Sequence, residues 1–331
     1  MEDFPVRSVP RDIPAWTENY ALAAYDVRQN ISIFLHLGRW RKDPGMWREL
    51  ISIALPDKTV IAHRGIGNAL ATEVSPGSTI MQIDVLEDQR AQRWSARGGV
   101  RRLPISELRD SILADGPKDR FEMSLEFNSD YPVWNVGQTS SSSDMVGHGH
   151  VEQIGRLVGI VAIGDYSVEI DTMANRDHSR GPRMMDRVQG HLWMQGIFED
   201  GSHFQAYEAQ EASAGTVFSE AAVFSGGKSH PGRLWIERHL PQEDAMSHIH
   251  DAFGFRIAYE GGSFDGRVYD YPETMYFQYT APWDSYLGVR QIDAEVNRRY
   301  IEQAILLERT DGVRGYGHIE RTVPGKLIFE S

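Results

Sequence analysis

Between residues 175 and 183 the chain reads Asn175-Arg176-Asp177-His178-Ser179-Arg180-Gly181-Pro182-Arg183, which gathers one carboxylate, one imidazole and three guanidinium groups into nine residues. An acid and an imidazole this close have the makings of proton transfer. A carboxylic acid of raised pKa in a dry pocket can protonate a carbon–carbon double bond or help enolise a ketone. The same residues also make a plain ion-pair network, because burial would raise the pKa of Asp177 while Arg176, Arg180 and Arg183 would lower it. Both readings stay open at this level. His178 follows Asp177 directly, and successive residues of a strand face opposite ways, so the two act together only if the backbone bends between them.

Twelve histidines invite a metal reading. His148 and His150, and again His248 and His250, are i,i+2 pairs that would share a strand face, and Glu152 continues the first face. Neither pair has a third ligand at a definite spacing, so the expectation is no metal, with a His-ligated metal-dependent β-barrel enzyme as the alternative. There are no cysteines, which excludes disulfides, thiolate zinc ligands and a thiol nucleophile. No Gly-x-Ser-x-Gly elbow and no phosphate-cradling Gly-x-Gly-x-x-Gly is present, so no cofactor is expected either.

The elements that must position these residues read as strands. Ile31–Leu37, Leu50–Leu55, Thr59–Ala62, Thr79–Val85 and Phe121–Phe127 are short β-branched or alternating runs separated by turn residues. Arg156–Ile163, the Gly164-Asp165 turn and Tyr166–Ile170 form a hairpin that leads straight into the charged stretch. After Pro182 the pattern resumes with His191–Phe198, turn Asp200-Gly201 and His203–Tyr207, and further hairpins are expected at Gly226-Gly227, Gly261-Gly262 and Asp311-Gly312. Ile301–Arg309 pairs with Val313–Val323 across the last of these. Trp16–Val27 reads as a short helix, Ser106–Ala114 is ambiguous, and Thr139–Asp144 is a polar loop. The chain is therefore mainly β and antiparallel, with two barrels or sandwiches meeting near residue 180.

At 331 residues, two domains are the natural division. The formal charge of −13 disfavours nucleic acid as a partner, and no apolar run approaches the roughly 20 residues that cross a bilayer. The first residues carry no signal-peptide pattern, which with the missing cysteines suggests the cytoplasm. Eight Trp, 13 Tyr and 13 Phe can line a cavity or fill a core. An oligomer is left open.

His150-Val151-Glu152-Gln153, a hairpin containing Gly159, Arg176-Asp177-His178-Ser179-x-Gly181-Pro182-Arg183, Trp193, Asp200-Gly201 and Gly315-Tyr316-Gly317-His318-Ile319-Glu320 together resemble the tandem lipocalin-like proteins related to bacterial carotenoid hydratases. That superfamily also holds fungal Diels–Alderases, phytoalexin hydratases and uncharacterised bacterial proteins, to which this chain is most similar. The resemblance implies two antiparallel lipocalin-like β-barrels in tandem, divided as 1–183 and 184–331, with a hydrophobic ligand in or between them. The hydratase motif Tyr-His-Asp-His-Asn-Trp-Gly places its acid at Asp177, with His178 beside it. Asn175 stands where that motif has Tyr, and Arg180 where it has Trp. Asp177 and His178 are thus the catalytic candidates, and His150, Glu152, Asn175, Arg176, Arg180, Trp193 and Tyr207 the substrate-binding ones. Trp235 and Trp283 are further candidates for an aromatic wall. The expected activity is a cofactor-independent lyase (hydratase or dehydratase), isomerase or cyclase on a hydrophobic terpenoid-, steroid- or polyketide-like small molecule, by acid/base catalysis at the domain interface; a non-catalytic binding protein for such a ligand is the alternative.

Overall fold

The structure is a computed structural model that describes residues 1–324 apart from 11, 14–15, 41–42, 69–74, 111–117, 138–148, 183–187, 212–214, 242–243, 281–283 and 289–295. His148, Trp283 and the polar loop at 139–144 lie outside the described residues. The chain divides into two compact units, one made of residues 1–105 and 113–184, the other of 106–112 and 185–331.

The first unit contains β1 (Trp16–Asp26), β2 (Ile31–Trp40), β3 (Asp43–Ala54), β4 (Thr59–Asn68), β5 (Met81–Glu87), β6 (Ala91–Pro104), β7 (Asp119–Asn128), β8 (Trp134–Asn135), β9 (Gly149–Ile163) and β10 (Tyr166–Pro182). Eight of these close a ring in the order β10-β1-β2-β3-β4-β6-β7-β9 and back to β10, while β5 pairs with β6 and β8 with β9. The second unit contains β11 (Val188–Phe198), β12 (His203–Glu211), β13 (Gly215–Ser225), β14 (Lys228–Ile236), β15 (Phe253–Tyr259), β16 (Gly262–Asp270), β17 (Thr274–Thr280), β18 (Asp284–Leu287), β19 (Val296–Arg309) and β20 (Arg314–Pro324). Its ring runs β11-β12-β13-β14-β15-β16-β19-β20 and closes on β11, with β17 and β18 added outside β19. Both barrels are closed, eight-stranded and antiparallel, which leaves no ring strand with an unpaired edge. A six-residue helix, α1 (Ile105–Asp110), is the described part of the ambiguous segment.

The expected helix at Trp16–Val27 is instead β1. Its Ala and Leu content favours helix locally, but the segment pairs on one side with β10 and on the other with β2, and those two ladders override a preference worth tenths of a kcal/mol per residue. Alternation then sets which side chains enter the barrel. Tyr20, Leu22 and Ala24 of β1 and Val168, Ile170 and Ala174 of β10 join the core of barrel one, together with the fully buried Trp47, Trp94, Phe121 and Phe127. Each such ring contributes about 1.5–3 kcal/mol by leaving water. The lumen is thereby packed with side chains. Gly159 lets β9 serve both β7 and β10: a Cβ there would sit 2.0 Å from the Ser124 carbonyl oxygen. Barrel two fills its lumen in the same way with Phe198, Phe204, Phe255, Ile305, Leu307 and Ile319.

Candidate functional site

On β10 the even-numbered residues point into barrel one, so the charged stretch splits between two faces. Arg176 and His178 go inward, and Asn175 and Asp177 go outward, where β9 supplies Glu152 directly opposite Asp177. Asp177 and His178 therefore do not meet; the backbone does not bend between them.

The outward group is built around His150. Its Nε2 lies 2.9 Å from Glu152 Oε1 and also forms an ion pair with Asp177 Oδ2, while Asn175 Nδ2 donates to Glu152 Oε2 at 2.6 Å. Burial alone would lower the pKa of His150, but the two carboxylates outweigh it and raise it to about 9. Burial also raises Glu152, to about 7, against the hydrogen bonds it accepts and with the help of the Asp177 charge. The group thus binds protons more tightly than its separate parts, and it holds them around neutral pH. Asp177, with 11% of its side chain accessible, is the most exposed of the three, whereas Glu152 at 1% is closed off. Three ligand atoms, one each from His150, Glu152 and Asp177, lie within 4.8 Å of one another, so the same trio fits a divalent cation with one nitrogen and two oxygen donors.

The inward group is an ion-pair network in which Arg176 Nη2 and His178 Nδ1 are left without a hydrogen-bond partner among the described residues. Arg176 donates from Nη1 to Asp3 Oδ1 at 2.6 Å and from Nε to Gln153 Oε1 at 2.9 Å. His178 stacks on Tyr20 with ring centroids 4.0 Å apart, and its Nε2 is 3.3 Å from Glu18 Oε1, which shares its carboxylate with Arg39. Burial pushes Asp3 and Glu18 up, but His178 and the two arginines outweigh it and hold both below their ordinary range. Such a network orders one end of the barrel and leaves His178 with nothing to hand to Asp177.

The remaining sequence candidates are scattered. Arg180 is on the inward face of β10 at the barrel mouth, next to a cavity of about 340 Å³ rather than next to Asp177. Trp193 and Tyr207 sit opposite each other on β11 and β12 of barrel two, both buried. Trp235 is 59% exposed and walls nothing. His248 and His250 share no strand face: the first ends a short 3-10 helix and contacts Asp251 at 2.8 Å, and the second contacts Thr274 at 3.0 Å.

Barrel two carries a group that the sequence reading did not single out. Glu302 of β19 stands opposite Glu320 of β20, as Glu152 stands opposite Asp177 in barrel one. His318 occupies the place of Asn175 and puts Nε2 2.8 Å from Glu302 Oε2; His191 of β11 puts Nε2 2.6 Å from Glu320 Oε1. Gln195 donates to His318 Nδ1 at 3.2 Å, and Trp193 meets the same imidazole edge-on at 5.6 Å. Burial and the charge of Glu320 lift Glu302 well above the carboxylate range. Glu320 goes the other way, to about 2, because Glu302 and His191 outweigh its burial. Burial takes His318 down to about 4. The signal in the sequence was the Glu-Gln pair that recurs at 152–153 and 302–303 in matching register.

Solved structures similar to this chain are tandem lipocalin-like barrel proteins. An AttH-like protein of Nitrosomonas europaea is 14% identical, with 94% of this chain and 92% of that one covered and a TM-score of 0.60. CghA with Sch210972 is 11% identical over 94% and 89%, with a TM-score of 0.61. Kievitone hydratase of Nectria haematococca is 8% identical over 94% and 89%, with a TM-score of 0.52. At these identities the likeness establishes the tandem lipocalin-like fold. No curated protein matches the sequence. A family model matches residues 6–231, about two-thirds of the chain, and the protein accordingly belongs to the family of the domain of unknown function DUF7064.

Proposed function

We propose that this protein is a cofactor-independent lyase, isomerase or cyclase of the cytoplasm that moves protons on an apolar small molecule of terpenoid, steroid or polyketide type. Asp177 is the group that meets the reactant, and His150 and Glu152 hold the proton it delivers and takes back. The observation that carries this reading is His150 Nε2 placed between two carboxylates, one of them raised to about 7. A proton passes from the Asp177 carboxyl to an alkene carbon or a carbonyl oxygen. Loss of a proton from a neighbouring carbon then gives an isomer, attack by water gives a hydrate, and attack by a second double bond gives a ring; in each case one proton returns to the cluster. Asn175 orients Glu152, so the pair keeps its geometry while the proton moves. Asp177 and His150 replace the Asp177 and His178 pairing expected from the sequence.

The fold neighbours support the class, since one is a kievitone hydratase and another, CghA, was solved with Sch210972. Mass spectrometry of the protein under native conditions would identify apolar molecules that co-purify, and incubation would follow their fate. Conversion by the native protein and not by Asp177→Asn is expected; recovery of the ligand unchanged would make the protein a carrier. The convergence of His150, Glu152 and Asp177 within 4.8 Å favours a second reading, a metal-dependent enzyme. Stoichiometric metal in active protein, found by elemental analysis, would establish it.

A further inference from the structure

β10 turns a third cation toward the end of barrel one. Arg176 is paired with Asp3, and Arg39 with Glu18 and the Val6 carbonyl oxygen, 2.6 Å from its Nη2. Arg180 lies on the same inward face, two residues beyond His178, yet among the described residues its side chain makes no hydrogen bond or ion pair. It borders the cavity of about 340 Å³, whose other walls include Val6, Pro10, Ile13, Trp16 and Pro182. That volume is at the small end of the range for small-molecule sites. Below it, the Asp3–Arg176 and Glu18–Arg39 pairs and the stacked Tyr20 and His178 close the lumen. At the rim Ile13 is 38% exposed.

An apolar bowl with one guanidinium that has no partner among the described residues has a definite chemical complement. A guanidinium takes a carboxylate through two parallel N–H···O bonds, and apolar walls take a chain or ring that leaves water. We propose that the mouth of barrel one is a second ligand site, separate from the Asp177 group, for an apolar molecule ending in a single carboxylate, with the carboxylate on Arg180. The two sites use opposite faces of β10, so a ligand at the mouth leaves Asp177 uncovered.

The test is calorimetric titration with decanoate below its micelle concentration, with decanol as the uncharged control. Native protein binds decanoate at least about tenfold more tightly than decanol, the range expected of hydrogen bonds to a charged group. Arg180→Gln brings decanoate down to the decanol level, Arg180→Lys retains most of the preference, and Asp177→Asn changes neither. Ile13→Glu, at the exposed rim, weakens decanoate more than decanol, and so tests the site even if Arg180→Gln does not fold. Equal binding of the two probes, no decanoate binding, indifference to both Arg180→Gln and Ile13→Glu, or loss of decanoate in Asp177→Asn would overturn the proposal. None of these readouts depends on turnover, so they stand apart from the function proposed for Asp177.

Discussion

The two barrels bury a pair of carboxylates at the same register of the same two strands and neutralise it in different ways. In barrel one an imidazole lies between Glu152 and Asp177 and carries the charge, with a pKa of about 9. In barrel two the imidazole nearest Glu302 is held down at about 4, burial and the charge of Glu320 lift Glu302 well above the carboxylate range, and Glu320 is held at about 2. Two positions in the pattern differ: Asn175 in the first barrel stands where His318 stands in the second, and His150 stands where the second has Tyr300. Matching register therefore does not set a proton's location; burial and the identity of the charged and donor side chains around the pair do.

The largest expected effect of breaking this comparison is on chemistry. Asp177→Asn keeps the shape and removes the acid, and should slow conversion of a co-purified substrate by about 100-fold or more, with folding unchanged by circular dichroism. Next in size is stability. Arg176→Ile copies the residue that barrel two has at the matching position, Ile319, and leaves Asp3 buried without its partner. Denaturant unfolding should show a loss of about 3–5 kcal/mol, part of it recovered by adding Asp3→Asn. Glu302→Gln, by contrast, replaces a group that burial and the charge of Glu320 already push toward its neutral form, and should cost no more than about 1 kcal/mol.

The pH dependence should separate the barrels further. A raised pKa, as for His150 (6.5 to about 9) and Glu152 (4.5 to about 7), gives stability that is full below the unfolded value and lost as pH rises through the folded one. Glu302 adds to that alkaline loss. His318, lowered to about 4, gives stability that is lost as pH falls below 6.5. Melting temperature against pH should thus fall on both sides, with Glu152→Gln flattening the alkaline flank and His318→Gln the acid one. A flank that keeps its slope in its own variant would mean that other groups dominate there.

Much of the fold was legible because alternation is a strong signal: Phe121–Phe127 and the hairpin turns at Asp200-Gly201 and Asp311-Gly312 all fall where the pattern put them. β1 was not legible, since Ala21 to Ala24 favour helix until two partner strands are in place. The site was half visible. Glu152, His150, Asn175 and Asp177 could be named from the sequence, but adjacency in the chain suggested Asp177 with His178, and a strand sends those two to opposite faces. His191, Glu302, His318 and Glu320 are spread over 130 residues, and only ring closure through β11, β19 and β20 brings them together. A further helical signal, α1, was too short to declare itself.

The claim that the outward face of barrel one is a proton-holding site rests on His150. Nitrogen NMR of the imidazoles, followed from pH 5 to 10, measures it directly. The account predicts that His150 stays protonated until about pH 9, that His318 is already neutral at pH 5, and that Asp177→Asn brings the His150 titration down. A His150 that titrates near 6.5 and is indifferent to Asp177→Asn would contradict it.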